Sequence, residues 1–310
     1  MDYFVISLLN GVVYGLLLFM VSSGLTLVFG MMGVLNFAHG SFYMIGAYAG
    51  YAIARVTGFW PAMVLAPVVV ALIGAAVERW LLEPVHRHGH AQELLLTFGL
   101  VFVIEELAKL LFGPFAVDNP MPAELARPAL QVGDIAFPAF KAFIGVVAAA
   151  MFAGLFALLR LTRAGLVVRA AVHRPDMVSA LGHDVSRVFM LVFALGAGLA
   201  GLAGAVAGVF YPVSPNMAHE LGVIVFVVVV VGGLGSLPGA LVASLLIGLS
   251  TTFAVGIDAT LGDGLRTLGL AWTMGGIFDV RLSSMSGAIP FFLMLLILLL
   301  RPSGLLGERA

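Results

Sequence analysis

The chain has 310 residues, 62% of them hydrophobic and 10% charged, with a mean hydropathy of +1.13 and a formal net charge of −1. A soluble globular domain carries about 45–50% apolar and about 25% charged residues, so the exterior here must face lipid. A soluble enzyme, a secreted disulfide scaffold and a disordered chain are excluded, the near-zero net charge gives nothing to attract nucleic acid, and the lack of cysteine removes disulfides, thiolate metal sites and thiol catalysis.

A spanning helix needs about 20 apolar residues to cross about 30 Å of hydrocarbon. Runs of that size predict spans over residues 4–30, 37–55, 60–82, 91–112, 140–160 and 188–211. The first run has no Lys or Arg before it, exceeds a signal-peptide core and is followed by no A-x-A site, so it reads as a retained helix. A longer run over 221–256 is broken at 232–239 by Gly-Gly-Leu-Gly-Ser-Leu-Pro-Gly and reads as two short helices around a tight turn. The last run, 289–300, is short. The fold class is an all-α polytopic membrane protein, a single transmembrane domain over 1–310. It has nine crossings, or eight if the glycine-rich break is a re-entrant bend.

Orientation follows from Arg and Lys in short loops. Arg160, Arg163, Arg169, Arg174 and Arg187 follow the fifth span, Arg79 and Arg87 the third, and Arg301 and Arg309 the last. With nine crossings all three sets share one side, which is then cytoplasmic, with the N-terminus outside and the C-terminus inside. The opposite loops are poorer in net positive charge. Residues 113–139 hold Arg127 against Asp118, Glu124 and Asp134, and 257–288 hold Arg266 and Arg281 against Asp258, Asp263 and Asp279.

The spans are rich in glycine, with Gly11/Gly15, Gly46/Gly50 and Gly204/Gly208 at four-residue spacing. Small residues let helix backbones approach closely in lipid, here within the protomer or against a partner.

Chemical motifs are scarce. The chain has no Walker phosphate loop, no H-E-x-x-H motif and no nucleophile elbow. His86-x-His88-x-His90 has metal-like spacing, but Arg87 lies between and no carboxylate stands at ligand spacing, so solvated histidines are expected. His39 reads as an interfacial or capping residue. Glu105 and Lys109, with Glu106 beside them, sit four apart on one helix face and are expected to pair. So few ionisable groups in the hydrocarbon region argue against an ion-coupling relay and for energy supplied by a partner. In the segment 161–187, Pro175, Asp176 and Ser179 suit the start of a short helix and Gly182 its end. Ala180 and Leu181 give it a small apolar face, suited to docking a soluble partner; the alternative is a loop that only sets topology.

Four stretches resemble the shorter permease of branched-chain amino acid ABC transporters. They are GLTLVFGMMGVLNFAHGSFYMIGAY at 24–48, TRAGLVVRAAVHRPDMVSALGHDVSRV at 162–188, GGLGSLPGALVASLLIG at 232–248 and RPSGLLG at 301–307. The resemblance covers essentially the whole chain. It implies a non-enzymatic transport subunit without a cofactor, in a bacterial inner membrane. Its partners are a second related permease, two ATPase subunits and a periplasmic substrate-binding protein. It places ATPase coupling on the cytoplasmic loop 161–187, with Arg163, Gly165, Arg169, Asp176, Ala180, Leu181 and Gly182 as candidates. Relatives that carry urea or short amides share this architecture, and an ion-coupled carrier is the rival from another class.

Two glycine-interrupted stretches are candidates for a translocation path or gate. Asn36, His39 and Ser41 could meet the polar ends of a zwitterion, Leu35 and Phe37 its aliphatic part, and Gly40, Gly232, Gly233 and Gly235 mark the breaks. Packing turns are the alternative. The outward stretches 118–134 and 257–285, the latter with Trp272, Thr273, Gly275 and Gly276, are expected to shape contact with the binding protein.

Overall fold

The computed structural model describes residues 2–307 apart from Val34, Arg87, Gly133, Asp134, Leu261 and the stretches 258–259 and 264–278. The expectations placed on Arg87, Asp134, Asp258, Arg266, Trp272, Thr273, Gly275, Gly276 and Arg309 therefore lie outside the described residues.

Twelve α-helices are described. α1 (Asp2–Met32) is followed by α2 (His39–Thr57) and α3 (Phe59–Val77). Gly58 alone, with φ +90°, turns the chain between α2 and α3, a conformation glycine adopts without a Cβ penalty. A π turn (Glu78–Leu82) carries α3 into the short α4 (Glu83–His86), and α5 (His90–Phe112) returns. Then come α6 (Ala139–Leu161), α7 (Arg163–His173), α8 (Pro175–Ala180) and α9 (Val185–Phe210). Last are α10 (Met217–Gly232), α11 (Leu237–Val255), a 3-10 turn (Leu282–Ala288) and α12 (Ile289–Leu300).

Among the described residues, six segments are long and apolar enough to span: Phe4–Met32, Phe59–His86, Ala139–Leu161, Val185–Phe210, Leu237–Val255 and Ser283–Leu300. The expected eight or nine is not reached on that measure, and the other helices predicted to span fall short of it for physical reasons. α10 has 16 residues. α5 carries Glu93, Glu105, Glu106 and Lys109. α2 is moderately polar, which its position permits: His39, Ser41, Phe42, Tyr43 and Tyr48 are buried inside the protein and do not meet lipid.

The all-α class holds, with one small addition. The loop after α5 holds a two-stranded antiparallel ribbon, β1 (Pro128–Val132) with β2 (Ile135–Pro138). A polar Gly-Asp pair between β-branched residues was the sequence signal for it.

α1 and α9 form the centre of the bundle, α1 against α9 and α11, and α9 against α2 and α3. The glycines explain why. A Cβ on Gly204 would fall on the Tyr43 carbonyl of α2, one on Gly46 on Gly201, and one on Gly24 on the Gly196 carbonyl. Gly11 and Gly15 meet α11 at Leu249 and Ser244, where Gly248 closes the same contact. These close approaches lie within the protomer.

The glycine-rich break is a turn between α10 and α11. Ser236 caps α11 by accepting from the Gly239 N–H at 3.2 Å. The C-terminal tail lies over this turn. Leu305 N–H donates to the Val231 carbonyl at 2.9 Å and Leu306 N–H to Gly232 at 3.0 Å, so the tail satisfies carbonyls that the end of α10 leaves open.

Candidate coupling segment and translocation path

The segment 161–187 contains two helices where one was expected. Thr162 caps α7: its hydroxyl accepts from the Gly165 N–H at 3.0 Å and donates to the Leu158 carbonyl at 2.6 Å. Gly165 lies so close to the end of α6 that a Cβ would fall on Leu158 O, which fixes the angle between α6 and α7. Arg163 is exposed, and Arg169 Nε donates back to the Gly165 carbonyl at 3.3 Å.

α8 starts at Pro175, with Asp176 exposed in its first turn. It stops at Gly182, whose φ is +86°, while His183 N–H reaches back to the Val178 carbonyl at 3.2 Å in a Schellman closure. Val178 is buried, whereas Met177, Ala180, Leu181 and Gly182 face outward, with Leu181 78% exposed. α7 and α8 thus form a compact knob with an apolar tip. Asp184 then caps α9 by accepting from the Arg187 N–H at 3.1 Å. Behind α7 lies an apolar cavity of about 380 Å³, between Leu27 of α1, Leu158 and Leu159 of α6, and Leu191 and Leu195 of α9.

The α4 region joins the start of α9, where the chain leaves the knob. Ser186 donates to Glu83 at 2.6 Å, and Arg79 pairs with Glu83 at 2.7 Å. The loops around 78–90 and 161–187 therefore share one end of the bundle.

His86 corrects the expectation of solvated histidines. Its Nε2 lies 2.8 Å from Glu78 Oε1 and its Nδ1 2.5 Å from Glu93 Oε1, and both carboxylates are buried. Both ring nitrogens face acceptors, so an imidazolium suits the site and ties the end of α3 to the start of α5. His88 and His90 are exposed.

At the entry to α2, five path candidates part company. Asn36, His39, Gly40 and Ser41 are buried in protein, while Phe37 is 44% exposed. Asn36 Oδ1 accepts from the Ala38 N–H at 3.0 Å, holding the irregular turn. His39 is no interfacial cap: its Nε2–H donates to the Val21 carbonyl of α1 at 2.9 Å, with the ring against Gly24. Leu35 is half-buried. In the second break Gly232 and Gly233 are buried under the tail and α11, and Gly235, φ +81°, lies against Gly30. Those glycines serve close packing in this conformation.

Glu105 and Lys109 pair as their spacing suggested, at 2.8 Å, and Lys109 also reaches Glu106 at 2.9 Å. Sequence reasoning missed His219 of α10, whose Nε2 lies 3.1 Å from Glu105 Oε2. No local pattern could announce a pair that only tertiary packing creates.

A family model described as the permease component of a branched-chain amino acid transport system matches residues 7–298. The chain belongs to this family. The permease is 29% identical to the high-affinity branched-chain amino acid transport system permease protein LivH of Escherichia coli K12, over 99% of this chain and 96% of that one. It is 27% identical to BraD of Pseudomonas aeruginosa over 97% and 95%. The LivM permease of Salmonella typhimurium matches at 27%, over 83% of this chain and 66% of that protein. No solved structure matches the permease. It is a multi-pass transport subunit and not an enzyme.

Proposed function

We propose that this permease is the membrane subunit of an ATP-driven importer for branched-chain aliphatic amino acids delivered by a periplasmic binding protein. The knob carries the reading. A chain with no nucleotide motif of its own presents an apolar tip, Met177 and Leu181, between arginines, at the end where its basic loops gather. Such a tip suits a groove on a soluble ATPase, and the cavity behind α7 leaves the knob room to rock. Arg163, Gly165, Arg169, Asp176, Ala180, Leu181 and Gly182 are its coupling residues: Gly165 and Gly182 set its shape, Ala180 and Leu181 its contact.

Adding α2, α5 and α10 to the six apolar spans gives nine crossings, with the N-terminus outside and the knob and C-terminus in the cytoplasm of a bacterial cell. A second permease and two ATPases complete the transporter.

The test is Leu181→Asp in the assembled transporter. ATP hydrolysis should persist while leucine uptake falls at least tenfold, with the same amount of protein in the membrane. Normal uptake would leave the segment as a topology signal only. The Glu105–Lys109–His219 group is the one observation that favours the rival, a proton-coupled carrier; that rival requires uptake to stop on adding a protonophore at constant ATP.

A further inference from the structure

α5 is held to the bundle through α2 and α4, and the face it turns toward α10 is open. A ladder of aromatic rings runs along that face. Phe37, from the irregular entry to α2, meets Phe98 of α5 edge-on at 6.3 Å and stacks on Phe226 of α10 at 6.2 Å. Phe98 meets Phe102 at 5.2 Å, and Phe102 meets the His219 ring at 5.4 Å. Phe37, Phe98 and Phe102 are each exposed over nearly half their surface. The ladder ends at the ionic group of Glu105, Glu106, Lys109 and His219.

The position of that group decides what the furrow faces. Glu105 lies 15 residues beyond His90 in α5, which is about 22 Å along the helix at 1.5 Å per residue. That is still within a hydrocarbon layer of about 30 Å. The neighbouring Glu106 side chain is 67% exposed. An ionised carboxylate open to lipid at that depth is strongly disfavoured, and such groups face a bundle interior or a water-filled passage. The irregular backbone at Phe37 obeys the same rule at the other end of the ladder. A furrow open to a polar passage would satisfy both, with an apolar floor and a charged mouth.

We infer that this α5–α10 furrow is the wall along which substrate moves, and that it selects zwitterionic aliphatic amino acids over neutral amides. The inference rests on the importer reading above. Glu106 receives the ammonium group and Lys109 with His219 the carboxylate, while Phe102 and Phe98 take the aliphatic side chain. A neutral amide has no charged ends with which to replace the pairing inside this group, so it gains nothing from displacing it.

The absence of native cysteine permits a direct test in the complete transporter, reconstituted with cysteine-free partners. Phe98→Cys and Phe102→Cys should react with a water-soluble thiosulfonate, and Val103→Cys, at the same depth but about 100° round the helix, should not. Saturating leucine should slow labelling several-fold, and labelling should remove more than nine-tenths of uptake. If both furrow variants are as unreactive as Val103→Cys while leucine uptake persists, lipid or the second permease fills the furrow. The inference then fails and the importer reading stands. Labelling that neither leucine nor uptake registers overturns it as well. If the unsubstituted transporter shows no ATP-dependent leucine uptake, both fall. Independently, Glu106→Gln should raise the leucine KM at least fivefold; an unchanged KM overturns the headgroup assignment.

Discussion

Ser186 at the start of α9 donates its hydroxyl to Glu83 of α4 at 2.6 Å, across 103 positions of chain. The bond joins the helix that leaves the α7–α8 knob to the segment that leads into α5, with Arg79 holding Glu83 from the other side at 2.7 Å. Under the proposed coupling role, a movement of the knob would pass to α5 through this polar contact. Ser186→Ala should lower the ratio of leucine transported to ATP hydrolysed several-fold, with little change in the amount of assembled transporter. An unchanged ratio in proteoliposomes would mean that the contact only fixes the fold.

His86 supports a second prediction. It is the shared partner of two buried carboxylates, Glu78 and Glu93. Removing one member of a buried ionic group costs about 3–5 kcal/mol, because the remaining charge stays buried and unpaired. His86→Ala should therefore lower the thermal midpoint of the detergent-solubilised protein markedly. Adding Glu78→Gln should restore part of the loss, since it removes one of the stranded charges. A double variant no more stable than His86→Ala alone would count against the ionic account.

The helix contacts make a third, two-sided prediction. Gly204→Ala places a methyl group on the Tyr43 carbonyl and should cost about 1–3 kcal/mol by overpacking. Gly99 lies inside α5 with open space around it. Gly99→Ala should be neutral or stabilising by up to about 1 kcal/mol, the helix-propensity gain. Unfolding measured on both variants separates tight packing from glycine content; equal effects would contradict it.

The tail supplies a fourth. Deleting residues after Arg301 removes the N–H groups of Leu305 and Leu306 from the Val231 and Gly232 carbonyls. Each carbonyl left buried without a partner costs about 1–3 kcal/mol. The truncated chain should show faster hydrogen exchange in α10 and α11 than in α6, to which no tail hydrogen bond reaches among the described residues. Uniform exchange across all three would show that the tail is not a cap.

Six spans were legible because lipid asks one thing of a helix, an apolar run of fixed length. The ends of α8 were legible because Pro175 and Gly182 each do one local job, and the pair Glu105–Lys109 because four residues are one helical turn. Three features were not. His86 is gripped by residues eight positions before and seven after it, brought round by a π turn that has no marker in the sequence. His219 meets Glu105 only because α10 packs beside α5. Asn36, His39 and Ser41 looked like lining because they are polar, yet they are buried in protein, and only the apolar Phe37 among them reaches an open surface. Polarity in a membrane chain marks shielding from lipid, which protein supplies as well as water does.

In the proposed function, ATP, acting through the knob, drives the passage of aliphatic amino acids. Its most direct test is uptake of labelled leucine by proteoliposomes holding this chain with its second permease, both ATPases and the binding protein. Uptake should require ATP and the binding protein and continue after a protonophore is added. Leucine uptake by the chain alone, driven by a proton gradient without ATP, would contradict the proposed function.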